Sequence, residues 1–208
     1  MSAFTSAFTD TPSSPPLVLG STSRYRRELL QRLGLPFSVR APDTDETPRA
    51  GETPRELALR LAQDKARAVA AQVGPAWVIG SDQVCACDGR ILGKPGGFER
   101  ALQQLQHLRG REAVFHTAVA LVDPHGAIQA REIPTHVRMR PLSDAQLRAY
   151  LLAEQPYDCA GSAKSEGLGI ALLEAVRSDD PTALVGLPLI ALCDLFAAAG
   201  FDVLGTPR

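Results

Sequence analysis

The chain is short of several things that would announce a specialised class. It has four cysteines, Cys85, Cys87, Cys159 and Cys193, in 208 residues. They are too few and too scattered for a disulfide scaffold. Cys85-Ala86-Cys87 lacks the two-residue gap of zinc ribbons and thioredoxin-like motifs, so core thiols in a reducing cytoplasm are the expectation. No apolar run is long enough to span a bilayer. The formal net charge of -1 removes the electrostatic case for duplex nucleic acid or an anionic membrane. No segment repeats with a period of 20–50 residues. His116, His125 and His136 share no metal-ligand spacing; His116 and His136 read as strand residues. Met1–Pro16 is rich in Ser, Thr and Pro, with neither a basic start nor an apolar core, so it fails as a secretory signal and is expected to be a disordered tail. What remains, 45% hydrophobic and 22% charged, is enough for one globular domain over residues 17–208.

The densest pattern in that domain is Trp77-Val78-Ile79-Gly80-Ser81-Asp82-Gln83-Val84. Its apolar start reads as a buried strand that delivers a carboxylate, Asp82, at its end. A rigid acid suits a general base or a metal ligand; the alternative is a carboxylate capping a turn beside Gly80 and Ser81. Upstream, Leu17-Val18-Leu19-Gly20 reads as a strand, and Ser21-Thr22-Ser23 leads into a helix with Arg24, Arg26 and Arg27 in its first turn. Free backbone N–H groups, hydroxyls and arginines at a helix start make an anion site; a plain Ser N-cap with solvated arginines is the other reading. Phe37-Ser38-Val39 alternates like a strand. Asp43-Thr44-Asp45-Glu46, between Pro42 and Pro48, is an acidic loop that either ligates a hard cation or is merely solvated.

Thr53-Pro54-Arg55-Glu56 opens a helix running to about Gln72, with a capping-box pattern and Pro at its first position. Lys65 interrupts its apolar stripe of Ala58, Leu61, Ala62 and Val69. It either snorkels outward or points into a cleft to meet an anion. Cys87-Asp88-Gly89-Arg90 is a hairpin turn, and Gly93-Lys94-Pro95-Gly96 sets a second lysine in a loop. Phe98–Leu108 has helical spacing. Ala113–Val122 and Ile133–Met139 read as an antiparallel hairpin. Ser143-Asp144-Ala145-Gln146 caps a helix. Tyr157–Gly169, with three glycines, Lys164 and Glu166, is a loop suited to close approach by a ligand, though it is no Walker A sequence. Leu168–Val176 reads as a strand. Thr182–Ala199 reads as an apolar helix that Pro188 kinks or starts, deeply buried or half of an oligomer contact.

Ser21-Thr22-Ser23-x-x-Arg26, Asp45-Glu46-Thr47-Pro48, Gln63-x-Lys65, Gly80-Ser81-Asp82-Gln83-Val84, Gly93-Lys94-Pro95 and Gly161-x-x-Lys164-Ser165-Glu166-Gly167 together resemble the Maf family of nucleoside triphosphate pyrophosphatases, in one order from Leu17 to Leu204. The Gly-Ser-Asp-Gln-Val and Lys-Ser-Glu-Gly versions look like the 7-methyl-GTP branch. The resemblance implies an α/β fold of the inosine-triphosphate-pyrophosphatase type, a mixed twisted sheet flanked by helices, with two lobes around a central cleft. It also implies a cytoplasmic homodimer, a divalent cation (Mg²⁺ or Mn²⁺), and hydrolysis of 7-methyl-GTP to 7-methyl-GMP and diphosphate, a house-cleaning activity on modified nucleotides. Alternatives are UTP, dTTP or CTP as substrate, or a nucleotide-binding regulator of cell division. Carried over, Asp82 is the proton acceptor and Tyr25, Gln83 and Glu166 set base specificity. Ser21, Ser23, Arg26, Lys65 and Lys94 bind phosphates, and Glu46 with Asp82 holds the metal. The family usually has Pro where Arg24 stands, and this branch usually has Trp where Tyr25 stands.

Overall fold

The computed structural model describes residues 15–205. The tail expected over residues 1–16 therefore lies outside the described residues, save Pro15 and Pro16. Twelve helices and strands make up the body: β1 (Leu17–Gly20), α1 (Arg24–Gln31), β2 (Ser38–Val39), α2 (Pro54–Val73), β3 (Trp77–Cys87), β4 (Arg90–Leu92), α3 (Phe98–Leu108), β5 (Glu112–Val122), β6 (Ile128–Met139), α4 (Asp144–Glu154), β7 (Leu173–Arg177) and α5 (Leu189–Ala198). The strands form one mixed sheet, ordered β2-β1-β3-β5-β6-β7, with β4 beside the far end of β3. β1 pairs parallel with β2 and β3; all other pairings are antiparallel.

Helices cover both faces. Ala58, Ala62, Ala66 and Val69 of α2 pack on Val18, Val78, Ala118 and Ala120. The small side chains let the helix lie close, and Gly80 completes the fit: a Cβ there would stand 2.2 Å from the Ala62 carbonyl oxygen and 2.6 Å from the Ala66 nitrogen. On the opposite face Leu19, Ile79, Val119 and Leu121 meet Leu29 and Leu30 of α1 and Leu192, Leu195 and Phe196 of α5. A separate cluster joins Leu102 and Leu105 of α3, Leu147 and Leu151 of α4, and the far ends of the strands through Cys85, Phe115 and Val137. These clusters are the cores of two lobes, and the long strands β3, β5 and β6 run through both.

The helix starts follow the local chemistry. Thr53 and Glu56 form a reciprocal capping box under Pro54, as do Ser143 and Gln146 at α4. Asp88 and Gly89 both take positive φ (48° and 73°) at the β3–β4 hairpin, as a two-residue turn demands.

Several expectations need correction. Asp82 does not end its strand: β3 runs on to Cys87, because β5 pairs with it continuously from Val78 to Ala86. β6 begins at Ile128, where it pairs with Val122; exposed Gln129 and Arg131 interrupt the apolar pattern there. Leu168–Leu172 is a 3₁₀ turn, and only Leu173–Arg177 is strand. The Glu154 carboxylate accepts the Leu168 N–H at 2.7 Å, and Gly169 lies against the Lys164 backbone, closer than any Cβ would permit. Those contacts wind the segment instead of extending it. Pro188 starts α5, one of its two readings; what changes is where the helix begins, at Leu189 rather than Thr182. The residues before it form a 3₁₀ turn, Ala183–Val185, ending at Gly186. Buried Asp180 supplies the cap that Pro188 lacks, accepting the N–H groups of Ile190 and Ala191.

Candidate active site

The cleft opens where a sheet edge is interrupted. β1 accompanies β3 only as far as the Gly20–Gly80 pair, and β4 joins it only from Cys85. Between those points residues 81–84 of β3 have no strand beside them on that edge. The space left is about 730 Å³, walled by both lobes, a size suited to a nucleotide-sized ligand. Strand alternation distributes the chemistry: Asp82 shares the α2 face with Val78 and Val84, while Ser81 and Gln83 point to the opposite face.

At the inner end two carboxylates converge on one ammonium. Lys65 Nζ lies 2.6 Å from Asp82 Oδ1 and 2.6 Å from Glu46 Oε1. Lys65 and Asp82 are only 6% and 8% exposed, so water and salt screen their ion pair little. Lys65 therefore points into the cleft rather than snorkelling. The anions that meet it in this structure are the protein's own. Burial raises the Glu46 carboxyl, but the hydrogen bond from Lys65 and the charges of Lys65, Lys94 and Arg26 outweigh it, and the net shift is downward. Exposed Lys94 lines the same cleft.

Arg26 Nε donates to the Gly186 carbonyl at 2.8 Å, and its Nη1 lies 3.4 Å from Ser21 Oγ. Burial lowers the affinity of Arg26 for its proton, and the charges of Asp82 and Glu46 partly restore it. Ser21 Oγ also accepts the Ser23 N–H at 3.2 Å, which leaves its own hydroxyl proton to donate to an anion. Ser23 caps α1, accepting the Arg26 N–H at 3.4 Å. The plain N-cap reading thus holds for Ser23, although the residue also lines the cleft.

Of the acidic loop, only Glu46 enters the cleft; Asp45 is turned back onto the Thr47 N–H. A clamp holds the loop down. Arg60 of α2 binds both oxygens of Glu52, at 2.6 and 2.9 Å, and donates to the Thr47 carbonyl at 3.1 Å. The Arg60 hydrogen bond leads the effects that draw the Glu52 carboxyl down to about 2.

The outer end gathers Tyr25, Gln83 and Glu166 with Asp158, Cys159 and Leu184. The Gln83 amide nitrogen is used internally, donating to Thr117 Oγ1 and to the carbonyls of Ala183 and Leu184, each at 3.0 Å. With two carbonyls fixing its orientation, Gln83 offers the cleft its acceptor oxygen. Burial raises the Tyr25 hydroxyl, opposed by a hydrogen bond from Arg24. Burial likewise pushes the Cys159 thiol up to about 12, so it is a protonated wall group at neutral pH.

All ten residues singled out by resemblance line this one cleft: Ser21, Ser23, Tyr25, Arg26, Glu46, Lys65, Asp82, Gln83, Lys94 and Glu166. Lys164 does not join them. It is paired with Glu154 and braces the loop that presents Glu166. His116 and His136 are strand residues paired with Glu132 and Glu112, and Cys85 and Cys87 are buried thiols. Residue reasoning missed the wall made by the Ala183–Gly186 turn, whose Gly186 carbonyl also accepts from Ser81 at 3.0 Å. Gly186 ahead of Pro188 was the signal: a breaker pair inside an apolar run marks a turn before a late helix start. Among the described residues no helix is long and apolar enough to cross a membrane.

The chain resembles known proteins over nearly its whole length. It is 60% identical over 195 residues to a 7-methyl-GTP pyrophosphatase of Albidiferax ferrireducens, covering 93% of this chain and 98% of that one. It is 62% identical over 201 residues to a protein of the same name from Paraburkholderia xenovorans, covering 94% and 98%. Among solved structures, a nucleoside-triphosphatase/dITP/XTP pyrophosphatase of Mycobacterium abscessus aligns with a TM-score of 0.44 at 19% identity, over 92% of this chain and 100% of that one. The Maf-like protein family model matches residues 16–199, and with relatives this similar covered almost end to end, the chain belongs to the Maf family.

Proposed function

We propose that this chain is a nucleoside triphosphate pyrophosphatase that hydrolyses 7-methyl-GTP to 7-methyl-GMP and diphosphate. The observation that carries the reading is the convergence of Lys65, Arg26 and Lys94 on Asp82 and Glu46 at one end of a nucleotide-sized cleft. The names of the 60%-identical relatives support the choice of substrate.

A triphosphate brings roughly four negative charges near neutral pH, and cleavage concentrates more on the leaving group. Arg26, Lys65 and Lys94 neutralise that charge, while Ser21 and the N-terminus of α1 hold a phosphate. Asp82 takes the proton of the attacking water as its oxygen bonds to the α-phosphorus. The bond to the bridging oxygen breaks, and its electron pair leaves with diphosphate. Two carboxylates already converge on a cationic group here, so the donor set suits a divalent cation, Mg²⁺ or Mn²⁺, held by Glu46 and Asp82. Such an ion supplies charge screening and lowers the pKa of water.

At the other end, Tyr25 offers an aromatic face to a cationic 7-methylguanine. Glu166 accepts from the N–H groups of its Watson–Crick edge, and the Gln83 oxygen is a further acceptor. The same reading carries a cytoplasmic homodimer clearing modified nucleotides.

The deciding experiment compares specificity constants for 7-methyl-GTP, GTP, UTP, dTTP and CTP, with and without Mg²⁺, by phosphate release after adding inorganic pyrophosphatase. The highest constant is expected for 7-methyl-GTP. Tight nucleotide binding with no diphosphate from any substrate would leave a binding protein and sink the enzyme.

A further inference from the structure

The outer end of the cleft holds a contact that the hydrolysis does not require. Arg24 Nη2 donates to the Tyr25 hydroxyl at 2.6 Å, and the Arg24 guanidinium carbon lies 4.6 Å from the centre of the Tyr25 ring. Both residues line the cleft. The carboxylates of Asp158 and Glu28 attract Arg24. An aromatic face attracts a cation through its quadrupole, and a guanidinium so placed draws on the same attraction a cationic heterocycle would use. Tyr25 is thus already occupied, by a cation of the chain itself.

We propose that Arg24 is a specificity-determining residue. Its guanidinium competes with the substrate's base for Tyr25 and disfavours a cationic 7-methylguanine relative to neutral guanine. This rests on the base lying against Tyr25, as the proposed function has it. Two effects act in one direction. Stacking of a base on that face displaces Arg24, which stays within a side chain's length because the two residues are adjacent, so a cationic base meets a like charge. Neutral guanine instead presents N7 and O6 as paired acceptors that a guanidinium can bridge, and methylation at N7 removes one of them. Arg24 therefore narrows the preference for methylated substrate that Tyr25 and Glu166 create.

The test is the ratio of specificity constants, 7-methyl-GTP over GTP, in wild type, Arg24→Gln and Tyr25→Ala, at low and high ionic strength. Arg24 is exposed, so Arg24→Gln is expected to melt like wild type. Its ratio should rise by about two- to fivefold, the size of an exposed cation–π contact, and the gap from wild type should shrink in high salt. An unchanged ratio in Arg24→Gln, with the ratio lowered in Tyr25→Ala, would overturn the role of Arg24 and leave the base placement standing. If neither substitution moves the ratio, the base does not meet Tyr25, and both the placement and this inference fall.

Discussion

Gly80 and Ala62 touch so closely that no side chain fits between them: a Cβ on Gly80 would stand 2.2 Å from the Ala62 carbonyl oxygen. That approach sets the height of α2 above β3. One turn along the helix from Ala62, Lys65 reaches Asp82, two residues along the strand from Gly80. Gly80→Ala must lift the helix or bend the strand, and is expected to cost about 3 kcal/mol of stability, at the upper end for overpacking. It should also cut kcat/KM by separating Lys65 from Asp82. A urea titration alongside steady-state kinetics checks both; a variant with native stability and full activity would show that the spacing is not critical.

Asp82→Asn keeps the shape of the carboxylate and removes its basicity. Turnover is expected to fall at least ~100-fold, the usual contribution of a positioned base, with KM changing much less. Lys65 retains Glu46 as a partner, so the variant should still fold, which circular dichroism can verify. Near-wild-type turnover would exclude Asp82 as the proton acceptor.

Glu166→Gln exchanges one carboxylate oxygen for an amide donor. A base edge presenting N–H groups then loses a charge-assisted acceptor, which corresponds to about a tenfold to hundredfold loss in specificity constant for guanine nucleotides. UTP and dTTP should be affected far less. Equal losses across all bases would mean that Glu166 supports the loop rather than reading the base.

Arg60 is not part of the cleft lining, yet it anchors the segment carrying Glu46. Arg60→Gln should therefore raise the Mg²⁺ concentration needed for half-maximal activity and lower kcat/KM by about tenfold, as small misplacements of a catalytic group do. Calorimetric titration with Mg²⁺ and nucleotide distinguishes this from general unfolding.

The same clamp predicts an acid-sensitive component of stability. Glu52 titrates at about 2 when folded, against an ordinary 4.5, chiefly because Arg60 binds its charged form. A depressed carboxylate adds stability that is complete above the unfolded value and is lost as pH falls toward the folded one. Between about pH 5 and pH 2, wild type should lose more thermal stability than Glu52→Gln. Parallel melting curves for the two proteins over that range would remove the clamp from the account.

Local chemistry was the part of this molecule most open to reading. Thr53-Pro54-Arg55-Glu56 announces α2 and Asp88-Gly89 announces a hairpin, while Lys65 in an apolar stripe leaves two readings open, snorkelling outward or meeting an anionic partner. The composition of α2 does not reveal that this partner is Asp82, seventeen residues away; only the order of several short motifs pointed there. Contacts of longer span stayed hidden. Gly186 receives Ser81 and Arg26 across more than a hundred residues, and a carbonyl oxygen leaves no mark in a sequence because every residue has one. Within the glycine-rich run fit for a ligand, Glu166 reaches the cleft while Lys164 is held by Glu154. The end of β3 was misplaced because Gly80 and Ser81 look like a stop, whereas β5 alongside carries the strand through them.

Because β3, β5 and β6 are continuous members of both lobes, the two walls cannot hinge apart about Asp82 without breaking ladder hydrogen bonds. Breathing of the cleft must then fall to the segments outside the sheet, residues 43–53 and 157–167, which are fastened by side-chain contacts, Arg60–Glu52 and Lys65–Glu46 in one case and Lys164–Glu154 and Ser162–Gln104 in the other. Product escape in this architecture is a matter of unlatching straps over a fixed floor, and amide exchange would record it as fast protons in those two segments above slow ones in β3.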